Sequence, residues 1–379
     1  MGVLNGIRVI ELSGMGPCPM AGMLLADMGA EVIRVERSLK RDPIYAKDMS
    51  ARGKKSIVIN LKSEDGRAAL LQLVAGADVL LEGFRPGVAE KLGIGPEECA
   101  QRNPRLVYGR MTGWGQDGPL AKAAGHDINY IALTGALHAI GRSGEKPAVP
   151  VNLIGDFGGG TMFLVMGVLG ALLEAQRSGR GQVVDAAMVD GAANLMWMCH
   201  SFSAAGLWDA SGRGNNLLDG GAFFYDTYET SDSKYIAVGA IEPQFYAELV
   251  QKAGLDPQRF NAGNQNNRAQ WPENAAAFAE VFRTRTRAEW CELLEGTDAC
   301  VAPVLSADEA PDHPHNRARE AYIDVDGYAQ PAPAPRFSRT PSTVSGGQHA
   351  PGADTEQVLR AVGYSEEQVA DLKAQGAVA

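Results

Sequence analysis

The chain has 379 residues, of which 45% are apolar and 21% are charged, and its formal net charge at pH 7 is -10. This length allows two domains with substantial cores, and the composition is typical of a globular protein. The acidic balance argues against nucleic acid as the main partner, because phosphate backbones are bound by basic surfaces. A small anionic ligand held by a local basic cluster remains compatible with it.

The cysteines and the chain ends give expectations about compartment. Five cysteines are scattered without C-x-x-C spacing, which predicts a reduced compartment and neither a disulfide framework nor a metal site. The N-terminus lacks a signal-peptide pattern and the C-terminal Ala-Val-Ala is not a peroxisomal address, so we expect a cytoplasmic protein. The longest apolar run, residues 162–173, is too short to span a bilayer and predicts a buried helix without membrane insertion.

Residues 8–36 have the pattern of a strand-helix-strand unit. The predicted elements are a strand at 8–12, a helix at 17–28 and a strand at 31–36. The turn after the first strand contains Gly14 and Gly16, and Glu36 follows about twenty residues later, as in a dinucleotide-binding fingerprint. The third glycine of that fingerprint is replaced by Pro19, which has no backbone N–H for a phosphate. The pattern therefore favours a tight turn with proline at the helix start over an NAD site.

Further strand and helix patterns follow in alternation. Strands are predicted at 56–60, 78–82 and 105–110, with a helix that Ser63 caps and that ends near Gly76. This alternation predicts an α/β fold with a Rossmann-like parallel sheet covered on both faces. Ligands of such sheets bind at the carboxyl ends of the strands, where the sequence places Arg37, Lys62, Arg85 and Met111.

Two glycine-flanked stretches carry residues suited to acid/base chemistry. G-H-D-I-N-Y at 125–130 places His126 beside Asp127 at the start of a helix predicted over 128–140. N-L-I-G-D-F-G-G-G at 152–160 is expected to place Asp156 at the end of a short apolar strand, before three glycines and an apolar helix. A histidine and a carboxylate, each at the mouth of an element, suit a pair of acid/base groups on either side of one carbon atom.

From the residues alone, each of these side chains also has a structural interpretation. A buried, hydrogen-bonded histidine without catalytic function is an open alternative for His126. Asp156 could be the N-cap of the helix that follows it. Structural roles are favoured for Asp127 and Asp185.

In the second half of the chain the alternation of strands and helices is predicted to give way to long helices and then to a smaller α+β domain. Long apolar helices are expected at 161–176 and 186–206. In the smaller α+β domain we expect a strand at 235–240 and helices at 245–253 and 287–294, and the closing helices are predicted at 355–362 and 365–375. The predicted domain organisation is a large domain over 1–200, a linker over 201–224, a small α+β domain over 225–324, and a C-terminal segment over 325–379 that returns to the large domain.

Several motifs together resemble a known family. They are G-H-D-I-N-Y at 125–130, G-D-F-G-G-G at 155–160, G-Q-V-V-D-A-A-M-V-D-G at 181–191, G-A-I-E-P-Q-F-Y at 239–246 and A-P-R-F-S-R-T at 334–340. From residue 6 to about 364 the chain resembles the alpha-methylacyl-CoA racemases, a branch of the family III CoA-transferases. The resemblance implies two-domain chains that interlock as a homodimer, with the active site between the large domain of one subunit and the small domain of the other.

The resemblance also implies an activity and the residues that perform it. The expected reaction interconverts the (2R) and (2S) forms of 2-methylacyl-CoA thioesters, with no cofactor other than the coenzyme A of the substrate. His126 and Asp156 are implied as the two proton-transfer residues, and Glu242 as a support for His126. The implied contacts of coenzyme A are Arg37, Ile59, Asn60, Leu61, Lys62, Gly83, Phe84, Arg85, Pro86, Gly87, Lys91, Met111, Gly125, Asp127, Ile128, Asn129 and Tyr130.

One implied contact departs from the pattern of some relatives, which have arginine at position 91. Lys91 keeps the positive charge but lacks the two-pronged guanidinium, so it holds a phosphate with less geometric definition. Met111, Met196 and Met198 could provide an adaptable apolar surface for branched acyl groups.

The expected chemistry sets requirements on the site. An α-proton is weakly acidic, so the enolate needs a hydrogen-bond donor as it forms, and the N–H of Asp127 at a helix start is our candidate. Asp156 must be able to hold a proton, and burial beside an apolar helix is expected to raise its pKa.

Two other functions remain open at this point. The wider family transfers coenzyme A between carboxylic acids, with the aspartate at the position of Asp156 as a covalent nucleophile. A non-catalytic acyl-CoA-binding module is the third hypothesis. The sequence does not define the preferred acyl chain.

Overall fold

The computed structural model describes residues 2–40, 43 and 46–379. The chain divides into two units. The first unit comprises the residues through Thr134, together with Val151–Leu195 and Ala318–Ala379, and the second comprises Gly135–Pro150 and Met196–Arg317. Residues 135–150 therefore belong to the second unit, whereas the expected boundaries placed them in the large domain.

The secondary structure elements are numbered along the chain. The strands are β1 (Arg8–Leu12), β2 (Glu31–Glu36), β3 (Lys54–Val58), β4 (Val79–Glu82), β5 (Val107–Thr112), β6 (Val183–Ala187), β7 (Tyr225–Glu229), β8 (Tyr235–Gly239), β9 (Val301–Val304), β10 (Tyr322–Val325) and β11 (Tyr328–Pro331). The helices are α1 (Pro17–Asp27), α2 (Glu64–Val74), α3 (Val88–Lys91), α4 (Pro96–Arg102), α5 (Asp127–Leu133), α6 (Ala136–Ala139), α7 (Met162–Ser178), α8 (Met188–Leu195), α9 (Trp197–Ala204), α10 (Pro243–Lys252), α11 (Trp271–Phe282), α12 (Arg287–Leu294), α13 (Pro314–Ala318), α14 (Thr355–Ala361) and α15 (Glu366–Ala374).

A six-stranded parallel sheet in the order β3-β2-β1-β4-β5-β6 forms the centre of the first unit. This confirms the predicted Rossmann-like α/β class, with strand bounds within two residues of those predicted. Strand β6 was missed, because its second half was assigned to a helix starting at residue 186. The order of strands changes direction between β1 and β4, and the loops after these two strands define the switch point where ligands of such sheets bind.

Alternate side chains of the strands fill two separate cores. Ile10, Leu80 and Tyr108 pack with helix α2 on one face, whereas Val9 and Val79 pack with α1 and α7 on the other. Successive residues of a strand point to opposite faces, so continuous apolar strands such as β1 require helices on both sides.

A buried ion pair lies within the α1 face of the sheet. Lys54 of β3 donates to Glu11 of β1, and both side chains are at most 2% exposed. Burial raises the pKa of Glu11 and lowers the pKa of Lys54, and the charges of Lys54 and of Arg34, whose Nε is 3.9 Å from Glu11 Oε1, oppose the rise at Glu11. Helix α1 lies directly over the pair at Gly22, where a Cβ would be 1.9 Å from Glu11 Oε2.

The C-terminal segment covers the edge of the sheet at β3. The backbone N–H groups of Gly53 and Asn60 donate to the carbonyls of Gly346 and Ala377 at 2.9 and 2.8 Å. The N–H of Ser56 donates to Asp354 Oδ2 at 2.7 Å. These bonds satisfy an edge that would otherwise be open to pairing with another strand.

The most apolar part of the first unit is a helical run over Leu153–Ser178. By length and composition alone it could cross a membrane, and 44% of its apolar window is buried inside the protein. It is longer than the predicted run of 162–173, because the glycine-rich stretch before α7 is also helical. Leu164 and Val168 of α7 belong to the core on one face of the sheet. A buried core helix of a globular protein can be as long and as apolar as a membrane-spanning helix.

The second unit is a small α+β arrangement. Strands β7, β8 and β9 form an antiparallel sheet in that order. Its core is aromatic, with Phe223 in edge-on contact with Phe224 and with Phe278, at ring-centroid distances of 5.2 and 4.9 Å. Helices α10 and α12 lie within a residue or two of the predicted ranges.

The buried ion pair gives a testable prediction about stability. Lys54→Met removes one partner and leaves Glu11 buried, so the free energy of unfolding should fall by about 3–5 kcal/mol in urea denaturation. The double variant Glu11→Leu with Lys54→Met should recover most of this loss, because the uncompensated charge is gone.

Lys252→Met is the matched control. Lys252 pairs with Glu248 at 3.8 Å on the exposed face of α10, and its loss should change stability by no more than about 0.5 kcal/mol. Equal effects of the two single lysine variants would contradict the prediction.

Candidate active site

His126 lies at the mouth of helix α5, as predicted. It is the residue before the first helical residue, and its backbone N–H donates to Asn129 Oδ1 at 3.0 Å. Its side chain is exposed to solvent. The helix predicted over 128–140 is shorter, because Gly135 has a φ of 82° and separates α5 from α6.

Tyr130 fixes the segment that carries His126. Its ring contacts Trp114 edge-on at a centroid distance of 4.8 Å, and its hydroxyl donates to the carbonyl of Gly125. A Cβ on Gly113 or Gly125 would lie 2.1 or 2.8 Å from the Tyr130 ring, so only glycine allows this packing. The G-H-D-I-N-Y motif is thus held as one rigid piece.

Asp156 does not follow a strand, and this prediction was wrong. It lies within a π-helical segment, Leu153–Thr161, that continues directly into α7. The glycines explain the difference: a Cβ on Gly191 of α8 would lie 1.9 Å from the carbonyl oxygen of Gly159, so the two backbones touch. Asn152, not Asp156, is the N-cap residue of the segment. Such wide helical turns are frequent at functional sites.

The Asp156 carboxylate has a defined environment. Asn152 Nδ2 donates to Asp156 Oδ2 at 3.0 Å, and the backbone N–H of Asp156 donates to Asp127 Oδ2 at 2.7 Å. Gly16 leaves open the space beside the carboxylate, since a Cβ there would lie 3.4 Å from Oδ2. The first turn of the segment is thus tied to α5 and faces the turn before α1.

Burial raises the pKa of Asp156 above its usual range, as expected. The hydrogen bond from Asn152 opposes this rise, the nearby charge of Asp127 adds to it, and the charge of His126 lowers the pKa. His126 and Asp156 are therefore close enough to interact electrostatically. The structure brings together the two groups that the sequence proposed as an acid/base pair.

The residues implied for coenzyme A lie at or beyond the carboxyl ends of the strands, at the mouth of α5 and in the short helix α3. Arg37 is exposed after β2, buried Ile59 is followed by Asn60, Leu61 and exposed Lys62, and Met111 is buried in β5. The loop of Gly83, Phe84, Arg85, Pro86 and Gly87 follows β4, Lys91 ends α3, and Gly125, Asp127, Ile128, Asn129 and Tyr130 surround the start of α5.

The loop after β4 is a neighbour of the His126 segment. Burial raises the pKa of Tyr130, and the charge of Arg85 lowers it, so Arg85 lies near that phenol. The carboxylate of Glu82 fixes the start of this loop. It accepts hydrogen bonds from the Phe84 N–H at 2.6 Å and from Arg110 Nε at 2.9 Å. Loop and helix start thus form one surface at the carboxyl edge of the sheet.

Sequence reasoning missed Asn152 and the Glu82–Arg110 pair. Asn152 precedes Asp156 by four residues, a spacing that brings side chains together only in a helix. The signal was hidden because the segment was assigned to a strand.

Other predicted site residues belong to the second unit. Glu242 is the exposed N-cap residue of α10 in the second unit, so its role beside His126 stays a prediction. Met196 and Met198 also belong to the second unit. Within residues 2–40, 43 and 46–379, no group of three or more His, Cys, Asp or Glu side chains is arranged to hold a metal ion.

Comparison with known proteins adds a family and named relatives. Residues 4–355 match the family model of CoA-transferase family III. The chain is 49% identical over 372 residues to the alpha-methylacyl-CoA racemase of Mus musculus, covering 98% of this chain and 96% of that protein. It is 46% identical over 372 residues to the alpha-methylacyl-CoA racemase of Homo sapiens, covering 97% and 96%. The crystal structure of a CAIB/BAIF family protein from Brucella suis superposes with a TM-score of 0.81 at 25% identity, covering 95% of this chain and 99% of that one.

The contact between the glycine backbones gives a second prediction. Gly159→Ala places a Cβ 2.5 Å from the Ala192 backbone nitrogen, so it should destabilise the protein by about 1–3 kcal/mol in thermal or urea unfolding. It should also lower turnover, because Asp156 lies in the displaced segment.

Gly346→Ala is the control in a loop of the same unit. A Cβ there meets nothing within 4 Å, so the change should alter stability by no more than about 1 kcal/mol. A Gly159→Ala protein as stable and active as Gly346→Ala would show that the close approach is unimportant.

Proposed function

This chain belongs to CoA-transferase family III, and we propose that it is an isomerase that interconverts (2R)- and (2S)-2-methylacyl-CoA thioesters. The observation that carries the proposal is the pairing of His126 and Asp156, whose segments are joined by the hydrogen bond from the Asp156 N–H to Asp127 Oδ2 at 2.7 Å. The identity with two alpha-methylacyl-CoA racemases over nearly the whole chain supports the substrate class.

The reaction requires one proton to leave the α-carbon and another to arrive from the opposite face. In one direction neutral His126 takes the proton while protonated Asp156 gives one, and in the other direction the Asp156 carboxylate takes it from the carbon while the His126 imidazolium gives one. These two starting states carry the same number of protons, so the pair needs only to hold one proton between its members. No cofactor takes part in this scheme.

The enolate formed midway requires stabilisation. Asp127 is the first residue of α5, so its N–H has no carbonyl partner within the helix and lies at the positive end of the helix dipole. We propose this N–H as the donor to the thioester oxygen. One such donor typically contributes roughly 3 kcal/mol to the transition state.

The binding of coenzyme A is assigned to the carboxyl edge of the sheet. The exposed cations Arg37, Lys62, Arg85 and Lys91 provide positive charge there, although the chain as a whole is acidic. The loop after β4, held by Glu82, would contact the nucleotide or the pantetheine arm.

We further propose a homodimer in which Glu242 of the second unit supports His126 of a partner. Large apolar side chains exposed on α7, with Met166 61% and Leu173 51% exposed, support a second copy as their cover. Trp197 of the second unit is 64% exposed and supports the same assembly.

The proposed function is tested by isotope exchange. A pure enantiomer of a 2-methylacyl-CoA in heavy water should gain α-deuterium and lose optical purity together. His126→Ala and Asp156→Ala should each lower racemisation by roughly 10²–10⁴-fold, the usual contribution of a positioned acid or base, while coenzyme A binding stays intact.

His315→Ala is the control for the loss of a histidine, since His315 is exposed on the short helix α13, which carries none of the predicted site residues. If the wild-type protein incorporates no α-deuterium, the proposed function is wrong. If His126→Ala or Asp156→Ala keeps full activity, the role assigned to that residue is wrong. Trapping of an adduct on Asp156 by hydroxylamine during turnover would favour coenzyme A transfer instead.

The pH profile gives a separate prediction. Below its raised pKa Asp156 is protonated and cannot act as the base, so kcat/KM in the direction that uses the Asp156 carboxylate should fall on the acid side. Asn152→Ala removes a hydrogen bond that lowers this pKa, so the pKa should rise and the acid limb should move to higher pH. An unchanged or lowered limb would contradict the assignment of that limb to Asp156.

A further inference from the structure

The side chain of Asp127 has no task in the two-base scheme, which uses only its backbone N–H. It is 5% exposed, although it precedes a solvent-exposed turn of α5. Oδ2 accepts the Asp156 N–H, while Oδ1 is buried and has no hydrogen-bond partner within the described part of the chain. A buried carboxylate with an unpaired oxygen is costly, and this cost indicates that the contact of Oδ2 matters to the site.

The Asp127 carboxylate fits into space that is free only because residue 155 is glycine. A Cβ on Gly155 would lie 2.6 Å from Asp127 Oδ2 and 2.9 Å from its Cγ. The carboxylate therefore occupies the position that any side chain at 155 would take. It rests against the first turn of the π-helical segment, one residue before Asp156.

The same residue is covalently next to the other base. His126 is the N-cap of α5 and Asp127 is its first residue, so a shift of Asp127 shifts His126 as well. One hydrogen bond of 2.7 Å thus connects the Asp127 side chain, on the histidine segment, to the backbone of the aspartate segment.

We propose that Asp127 is a positioning residue, whose carboxylate sets the spacing between His126 and Asp156 by holding the Asp156 backbone against the start of α5. The inference rests on the proposed function and names a third residue needed for it. Transfer of a proton requires near-contact geometry at both faces of the carbon, and a misplacement of about 1 Å can reduce the rate by about a hundredfold.

The charge of Asp127 provides an independent readout, because it adds to the rise of the Asp156 pKa. His126 on the neighbouring segment lowers that pKa. The elements packed on the π-helical segment carry other ionisable side chains, which are Cys18 and Asp27 on α1, Tyr130 on α5, Glu174 and Arg177 on α7, Asp185 on β6 and Asp190 on α8. Of these, Tyr130 interacts with Asp156, whose charge raises the pKa of the phenol, whereas the shift of Asp156 itself comes from burial, Asn152, Asp127 and His126.

Two substitutions separate position from charge. Asp127→Ala removes the acceptor, so kcat should fall by about a hundredfold. KM for the thioester and the Kd of coenzyme A should stay at wild-type values, because the side chain is buried and only the backbone N–H, which the substitution keeps, is assigned to the substrate. Asp127→Asn keeps an oxygen that can accept the Asp156 N–H, so it should recover most of kcat. Because its side chain is neutral, the pKa of Asp156 should fall and the acid limb of the pH profile should move to lower pH.

Asp78→Asn is the matched control. Asp78 is a partly buried carboxylate that precedes β4, at the amino end of the sheet, and it also accepts a backbone N–H, that of Arg8 at 2.9 Å. This variant should keep both the kcat and the acid limb of the wild type. The measurements are racemisation rates of a pure 2-methylacyl-CoA enantiomer across pH, with circular dichroism of each variant.

The outcomes separate the inference from the proposed function. If the wild type racemises and Asp127→Ala does so at the same kcat, the inference is overturned while the function stands. If Asp127→Ala fails to fold, Asp127→Asn decides: near wild-type kcat with a lowered acid limb supports the inference, and an unmoved limb overturns it. Equal losses in both variants accompanied by a higher KM would indicate a general structural role and also overturn it.

Discussion

The contact between the Asp127 carboxylate and the Asp156 N–H joins two segments that are 29 residues apart in the chain. One segment begins a short helix behind an exposed histidine, and the other is a wide helical turn that leads into the core helix α7. A hydrogen bond to a charged carboxylate is stronger than one between neutral groups, especially when buried. The start of α5 therefore cannot move relative to the aspartate without losing this bond, and both reactive groups derive their relative position from it.

Glycine determines how close the surrounding backbones can come. Gly159 and Gly191 let the π-helical segment touch α8, Gly113 and Gly125 admit the ring of Tyr130, and Gly16 leaves room beside the Asp156 carboxylate. These close approaches bury the carboxylate only in part, which is enough to raise its pKa and still leaves it accessible to a substrate. The low-dielectric surroundings also strengthen the influence of neighbouring charges.

Short apolar runs that alternate with helical patterns were sufficient to predict five of the six strands, because strands such as β1 are apolar on both faces and are separated by helices of ordinary length. Strand β6 was missed, because V-V-D-A-A runs directly into an apolar helix and has no turn residue to mark the boundary. His126 was placed correctly at a helix start. The strand predicted before Asp156 was wrong, because its apolar residues and glycines fit an extended segment equally well, and the wide helix depends on close contacts with distant residues such as Gly191. The roles of Asn152 and Asp127 depend on that helix and could not be predicted without it.

The electrostatics of the site bear on which chemistry the family scaffold performs here. A carboxylate that attacks a thioester carbonyl must remain ionised, so a raised pKa works against nucleophilic catalysis. An acid/base pair that works in both directions has the opposite need, since the aspartate must carry a proton in one of two states of equal total charge. Burial of Asp156 and the charge of Asp127 both favour retention of that proton, and His126 lies close enough for its charge to act on the carboxyl group. The arrangement around Asp156 is therefore better suited to moving a proton across a carbon atom than to forming a covalent bond with the acyl group.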